Sequence, residues 1–352
     1  MFLKKRNKHM TDLRTPIALT LQAAGMADVS SLRSFLTSNP SQPLVATGSG
    51  GAETVADYAA LLYGARGGVS TAMSPYTMNS LSEEALKTSK VLLVSAGGHN
   101  NDIAFAARRA LDVNPEDSAS FSLHGGERNE VDKLFSRKGS SNSFVIDVPH
   151  RDGFVSVGTP VAYFALLSRV FAPETDVTRF AEPESPYTLT RNDGAPLSMK
   201  DLAGVNNFVI LHGSWGRPVA ANIEGKLVES GHASASVYDY RNFCHGRFIY
   251  VSNHLEDTAV VLLVSPRERE IAERTRKFLP ASTKLIIIET AEDNPAATLD
   301  LLVRSTEFIF GLCDETGVSL ECPKNPGRID KRVPMWVPFQ ATLKKAGPLS
   351  IQ

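Results

Sequence analysis

Leu44-Val45-Ala46-Thr47-Gly48-Ser49-Gly50-Gly51 and Phe208-Val209-Ile210-Leu211-His212-Gly213-Ser214-Trp215-Gly216 between them decide the fold of this 352-residue chain. Each is a short apolar run of strand character that stops at Gly-Ser and gives way to helical spacing. A parallel strand feeding a glycine turn and a helix presents free backbone N–H groups and the positive end of a helix dipole at one sheet edge, which suits an anion or a cluster of hydroxyls. Two such passages imply two similar ligand-binding units in tandem.

Outward from the first passage, strands are expected at 43–48, 68–72, 90–95, 119–123 and 143–148, alternating with helices at 52–65, 100–111, 127–138 and 159–171. From the second, strands at 207–212, 233–238, 259–264 and 284–289 alternate with helices at 217–230, 266–278 and 295–312, one strand fewer. Strands separated by helices require right-handed crossovers, so the fold class is α/β, with two tandem doubly wound parallel sheets flanked by helices. One or two helices within residues 1–40, with Leu13, Ile17, Leu21, Leu32 and Phe35 at helical spacing, precede a first domain at 41–172. Pro173, Pro183, Pro186 and Pro196 mark 173–204 as a linker; a second domain spans 205–318, and the proline-rich 319–352 reads as an irregular tail.

Composition narrows the function. A hydrophobic content of 42% is enough for two ordinary cores, and a net charge of -1 leaves no electrostatic footprint for nucleic acid. Cys244, Cys313 and Cys322 are an odd count without metal-ligand spacing, which argues against a disulfide framework and for a reducing, cytoplasmic setting. The start Met1-Phe2-Leu3-Lys4-Lys5-Arg6 lacks the apolar region of a signal peptide, and no run approaches the ~18 apolar residues of a membrane helix. His99, His150 and Asp152 lie on separate segments, and Gly48-Ser49-Gly50-Gly51 lacks the third glycine of a dinucleotide fingerprint. Neither a metal nor a cofactor is expected.

Three stretches carry chemistry. The strand at Lys90 runs into Ser95-Ala96-Gly97-Gly98-His99-Asn100-Asn101-Asp102, a small-residue loop whose amides can wrap a phosphate or sugar, while Asn100 equally reads as a helix cap. Asp152-Gly153-Phe154-Val155-Ser156-Val157-Gly158-Thr159-Pro160 opens an apolar helix; Ser156 and Thr159 either add hydroxyls to the pocket or cap that helix. Lys226 and Glu229, three apart, share a helix face, and His245 follows in Asn242-Phe243-Cys244-His245-Gly246. A carboxylate, a lysine and a histidine gathered at a sugar carbonyl are what proton transfer between C1 and C2 requires. The same residues read equally as a surface ion pair and an isolated histidine, and Cys244 as packing in a buried short helix.

The double unit resembles the sugar isomerase (SIS) family, in the tandem arrangement of the isomerase half of glucosamine-6-phosphate synthase, over roughly Leu44 to Cys322. The segment from Pro218 through Lys226, Glu229 and His245-Gly246 is similar to one in which the family carries a lysine, its catalytic glutamate and a ring-opening histidine. The resemblance implies that Glu229 moves the proton, Lys226 stabilises the developing oxyanion, and His245 opens the ring from across a dimer interface. The family loop Ser-x-Ser-Gly-x-Thr-x-Asp is matched with Ser95, Gly98 and Asp102 kept, but Gly97 and Asn100 replace a serine and a threonine. Two hydroxyl donors are missing, so the implied ligand is a phosphosugar held more weakly than in the family, an unphosphorylated sugar or another anion. The family's closing C-terminal lysine has its nearest candidates in Arg328 and Lys331. With no glutamine amidotransferase domain ahead of the first unit, a synthase drawing ammonia from glutamine is not expected unless a partner supplies that domain.

The expectation is a cytoplasmic homodimer with shared active sites that isomerises, deaminates or deglycates a sugar or sugar phosphate, with no nucleic acid or membrane partner. Its catalytic residues are Glu229, His245 and Lys226; its ligand is held by Ser49, Gly50, Ser95, Gly97, Gly98, His99, Asn100, Ser156, Thr159, Ser214, Arg328 and Lys331. The alternative is a catalytically idle module that senses a sugar phosphate or nucleotide, for which the binding loops suffice.

Overall fold

The computed structural model describes residues 7–125, 129–150 and 152–323. Arg328 and Lys331, with most of the expected tail, lie outside the described residues. In chain order the elements are α1 (Asn7–Met26), α2 (Ser30–Thr37), β1 (Leu44–Gly48), α3 (Gly51–Ala65), β2 (Ser70–Met73), α4 (Pro75–Met78), α5 (Glu83–Lys87), β3 (Lys90–Val94), α6 (Asn101–Val113), β4 (Ser118–Ser122), α7 (Glu130–Arg137), β5 (Ser143–Val145), α8 (Gly158–Phe171), β6 (Thr188–Arg191), β7 (Asn207–His212), α9 (Arg217–Glu229), β8 (Ser234–Asp239), α10 (Tyr240–Asn242), α11 (Phe248–Asn253), β9 (Thr258–Val264), α12 (Arg269–Phe278), β10 (Lys284–Glu289) and α13 (Ala296–Thr316). Both expected sheets are present, each flanked by helices.

One compact unit is built on Asp28–Asp147. Its strands run in the order β2-β1-β3-β4-β5, all parallel. β1 and β3 are buried along their whole length, as their continuous apolar runs require of strands covered on both faces. Val45, Val91 and Leu93 pack with Ile103 and Ala107 of α6 and Phe135 of α7. The winding reverses between β1 and β3, so the loops that leave these strands adjoin at the sheet's C-terminal edge. Gly48 is required there, because a Cβ would run into the carbonyl of Ala52 at the start of α3.

Of the described residues, the other compact unit takes those up to Ala27 and those from Val148 on, with strand order β6-β10-β9-β7-β8. β7 to β10 are parallel; β6 pairs antiparallel with β10. The second sheet therefore has five strands rather than the four expected, and the fifth comes from the stretch read as a linker, which also holds 3-10 turns at Val177–Phe180 and Met199–Leu202. An antiparallel edge strand needs no crossover helix, so a count based on strand–helix alternation passes over it. α8, expected in the first domain, also belongs here. It is buried almost all round and packs on α1 and α13; Ile17, Leu21 and Ala24 form the buried face of α1, and the Arg169 guanidinium donates to the carbonyls of Ala24 (2.7 Å) and Ala27 (2.5 Å). Because β8-β7-β9 repeats the order β2-β1-β3, Gly48 and Gly213 stand at the ends of topologically equivalent strands.

Candidate functional site

In the unit built on the second sheet, α9 carries the basic and acidic groups that sequence singled out. Lys226 is only 3% exposed, and its Nζ donates to Oδ1 of Asn222, one turn earlier. Burial pulls the ammonium down to about 8, against the opposing pull of Asp152 and then Glu229. Glu229, one turn further and open to solvent on one side, has its carboxyl raised above the ordinary range by partial burial, with Lys226 opposing and Glu224 reinforcing. An amine that releases its proton more easily and a carboxyl that holds one more tightly thus sit on one helix face, both moved toward neutral pH.

Asp152, unassigned in the sequence reading, is the hub of this region. Its carboxylate accepts from the backbone N–H of Val157 and Gly158, both at 2.6 Å, and of Thr159 at 3.3 Å. It also accepts from the hydroxyls of Ser156, at 3.1 Å, and Thr159. Ser156 and Thr159 were expected to offer hydroxyls to a ligand. In the structure those hydroxyls and the amine end of α8 are satisfied by the chain's own carboxylate, which takes the place an external anion would fill.

His245 lies on a π-turn at Phe243–Arg247, where the helix breaks: Gly246 has φ +94. It lines an open cleft of about 510 Å³ with Arg241, Cys244, Arg267, Glu270 and Arg274. Cys244 is exposed rather than packed, because the break at His245-Gly246 turns this segment away from the core; the buried cysteine is Cys313. Ser214, after β7, is exposed beside the buried Trp215.

In the other unit, the loops after β1 and β3 place Ser49 and Gly50 on one side of the switch point and Ser95 to Asn100 on the other. Gly98 adopts φ +62 with the Asn129 side chain against its Cα, so no other residue fits. Asn100 caps α6 by accepting from the N–H of Asp102 at 2.8 Å. Both its cap and its loop readings thus describe one residue, but its Oδ1 is engaged. His99 is exposed and packs over Gly97. Asn222 was legible as the residue four before Lys226; nothing in the sequence marks Asp152 as an acceptor for groups five to seven residues ahead.

No family model and no curated protein matches the chain. Solved structures do. Glucosamine-6-phosphate deaminase from Thermotoga maritima is similar with a TM-score of 0.65 at 15% identity, covering 91% of this chain and 98% of that one. Tagatose-6-phosphate ketose/aldose isomerase from Escherichia coli gives 0.64 at 17% identity, with 92% and 96% covered. The C-terminal domain of glucosamine-fructose-6-phosphate aminotransferase from Francisella tularensis gives 0.61 at 12% identity, with 92% and 98% covered. The fold is that of phosphosugar isomerase-type proteins.

Proposed function

We propose that this chain is a tandem SIS enzyme that moves a proton between adjacent carbons of a small sugar or sugar phosphate. The observation that carries the reading is the Lys226–Glu229 face of α9, where an amine lowered to about 8 stands one turn from a carboxyl raised by burial. In this reading Glu229 takes the carbon-bound proton and returns it to the neighbouring carbon through an enediol or enamine. Lys226, fixed by Asn222, offsets the negative charge that develops on the carbonyl oxygen. His245 opens the ring of a closed substrate. The loops at Ser49 and Ser95 to Asn100 hold the ligand's anionic end. The names of the similar structures, a deaminase, an isomerase and an aminotransferase domain, support a phosphosugar as the substrate class.

A homodimer belongs to the same reading. Phe248, Ile249 and Tyr250 on α11, next to the His245 turn, are 40%, 55% and 44% exposed, an apolar run that a second copy would cover. Light scattering at micromolar concentration should return twice the 38.1 kDa chain mass; a monomer would remove the shared-site element.

The test of the catalytic reading is Glu229→Gln. It should preserve the fold and ligand affinity while lowering turnover of fructose 6-phosphate, tagatose 6-phosphate or glucosamine 6-phosphate, whichever the wild type converts, by about 10²–10⁴-fold. Wild-type turnover in the variant would overturn the assignment. Binding of these compounds with no conversion by wild type would instead favour the sensor reading, which the self-satisfied Ser156 and Thr159 hydroxyls already make a specific rival.

A further inference from the structure

The loop that leaves β3 is tied to the segment that leaves β4, and one buried side chain completes the tie. The Ala96 carbonyl accepts from the N–H of Leu123 (3.0 Å) and His124 (2.9 Å), and the Gly98 carbonyl from the N–H of Val131 on α7 (3.1 Å). Ser95 is held as well, its N–H donating to the Phe121 carbonyl at 3.2 Å. Among the described residues, the N–H groups of Gly97, Gly98 and His99 meet no acceptor. The tie therefore consumes carbonyls and leaves amides, which is the polarity that an anion requires.

Such a loop does not keep this shape unaided. Gly97 and Gly98 have the most backbone freedom to lose, and Gly98 sits at φ +62. Asn129, 1% exposed, fills the space that a Cβ on Gly98 would take. Its amide is engaged at both ends: Nδ2 donates to the His124 carbonyl at 2.9 Å, and Oδ1 accepts from the N–H of Asp132 at 2.9 Å, which caps α7. The side chain is thus pinned between His124, whose N–H holds Ala96, and the helix whose Val131 N–H holds Gly98. A helix cap alone needs only a short acceptor, which serine supplies about as well as asparagine. The donor to His124 and the bulk over Gly98 are what capping leaves unexplained.

We propose that Asn129 is a positioning residue for ligand binding, holding the loop from Ser95 to Asn100 in the conformation that leaves the Gly97, Gly98 and His99 amides free for the ligand's anionic end. This rests on the ligand role proposed above for that loop.

The variants N129S and N129A separate the two roles. Serine keeps the α7 cap but is too short to reach His124 or cover Gly98, whereas alanine loses all three contacts. In urea unfolding of the full chain, N129S should outlast N129A, which shows the cap restored. Hydrogen-exchange mass spectrometry should find the amides of Leu123, His124 and Val131 exchanging at least about 10-fold faster than wild type in both variants. Calorimetric titration with inorganic phosphate and with glucose 6-phosphate should find both probes bound at least about 10-fold more weakly by both variants. A residue that only capped α7 would be replaced by serine without loss in any of these measurements. Wild-type exchange in N129S, or a Kd in N129S within about twofold of wild type, would overturn the positioning role and leave the loop's ligand role standing. Failure of the wild type to bind either probe would overturn the loop's anion-binding role, and the positioning role with it, whatever the exchange rates.

Discussion

Replacing Lys226 by methionine should change stability in a way that depends on pH and reports the burial of this one amine. Burial takes the ammonium from 10.5 to about 8 in a side chain that is 3% exposed. Between pH 8 and 10.5 the unfolded chain therefore holds a proton that the folded chain has released, so stability rises with pH across that window. Below pH 8 the folded state carries the full cost of a buried charge. The distance from 10.5 to about 8 corresponds to about 3 kcal/mol at pH 7, falling to about 1 kcal/mol at pH 10.

Methionine fills a similar volume without that cost, but it leaves Asn222 Oδ1 without its donor, a loss of about 1–3 kcal/mol that does not vary with pH. The two effects separate cleanly. The lost hydrogen bond shifts the gap between K226M and wild type equally at every pH, whereas the ionisation makes K226M gain on wild type by about 2–3 kcal/mol as the pH falls from 10 to 7. Urea unfolding of both proteins, followed by circular dichroism in half-unit pH steps, reads this difference, and titrations common to both proteins cancel. A gap that stays constant across the range would show that the amine is solvated and would remove the main support for Lys226 as a tuned group.

Two further outcomes follow from the same geometry. Asp152→Ala strands three backbone N–H groups and two hydroxyls at the start of α8 and should lower the unfolding free energy by about 2–4 kcal/mol, with Asp152→Asn recovering part of it; an unchanged urea midpoint in the alanine variant would mean that water replaces the carboxylate. Gly97→Ser with Asn100→Thr restores the two absent hydroxyls, since threonine also caps a helix and the exposed His99 ring, 2.6 Å from a Cβ at position 97, is free to swing aside. Calorimetry should show glucose 6-phosphate binding tightened about fivefold or more, corresponding to about 1 kcal/mol for one effective hydrogen bond; equal or weaker binding would mean that the loop is built for another ligand.

The elements that sequence rendered best are those whose burial is complete. β9 was expected at 259–264 and spans Thr258–Val264, because a parallel strand covered on both faces reads as an unbroken apolar run between turn signals. β6 was lost for the opposite reason: Thr188-Leu189-Thr190-Arg191 is short, only partly buried and antiparallel, so neither an apolar run nor a following helix announces it. α8 shows a third case. Its apolar character on every side predicts burial, but not which neighbours supply it, and those are α1 and α13 of its own unit, the one built on the second sheet. Periodicity records how much of an element is covered and carries no information on what covers it.

The site divides along the same line. That Lys226 and Glu229 share a face follows from their spacing of three, a property of any helix; that the lysine is enclosed and the glutamate half open depends on packing around α9. Ser156 and Thr159, read either as ligand hydroxyls or as helix caps, are the instructive case. A motif rich in hydroxyls advertises donor capacity, and an unoccupied helix start advertises more, so both point to an external anion. Donor capacity is only half of a binding site, however, and the other half is whether an acceptor is already present. Here the chain turns so that Asp152 meets the amides of residues 157 to 159, and one carboxylate consumes what the motif offers. A phosphate would have to displace a charged group already held by several hydrogen bonds, so this helix start is better read as the frame that holds Asp152 in place than as a subsite for the ligand.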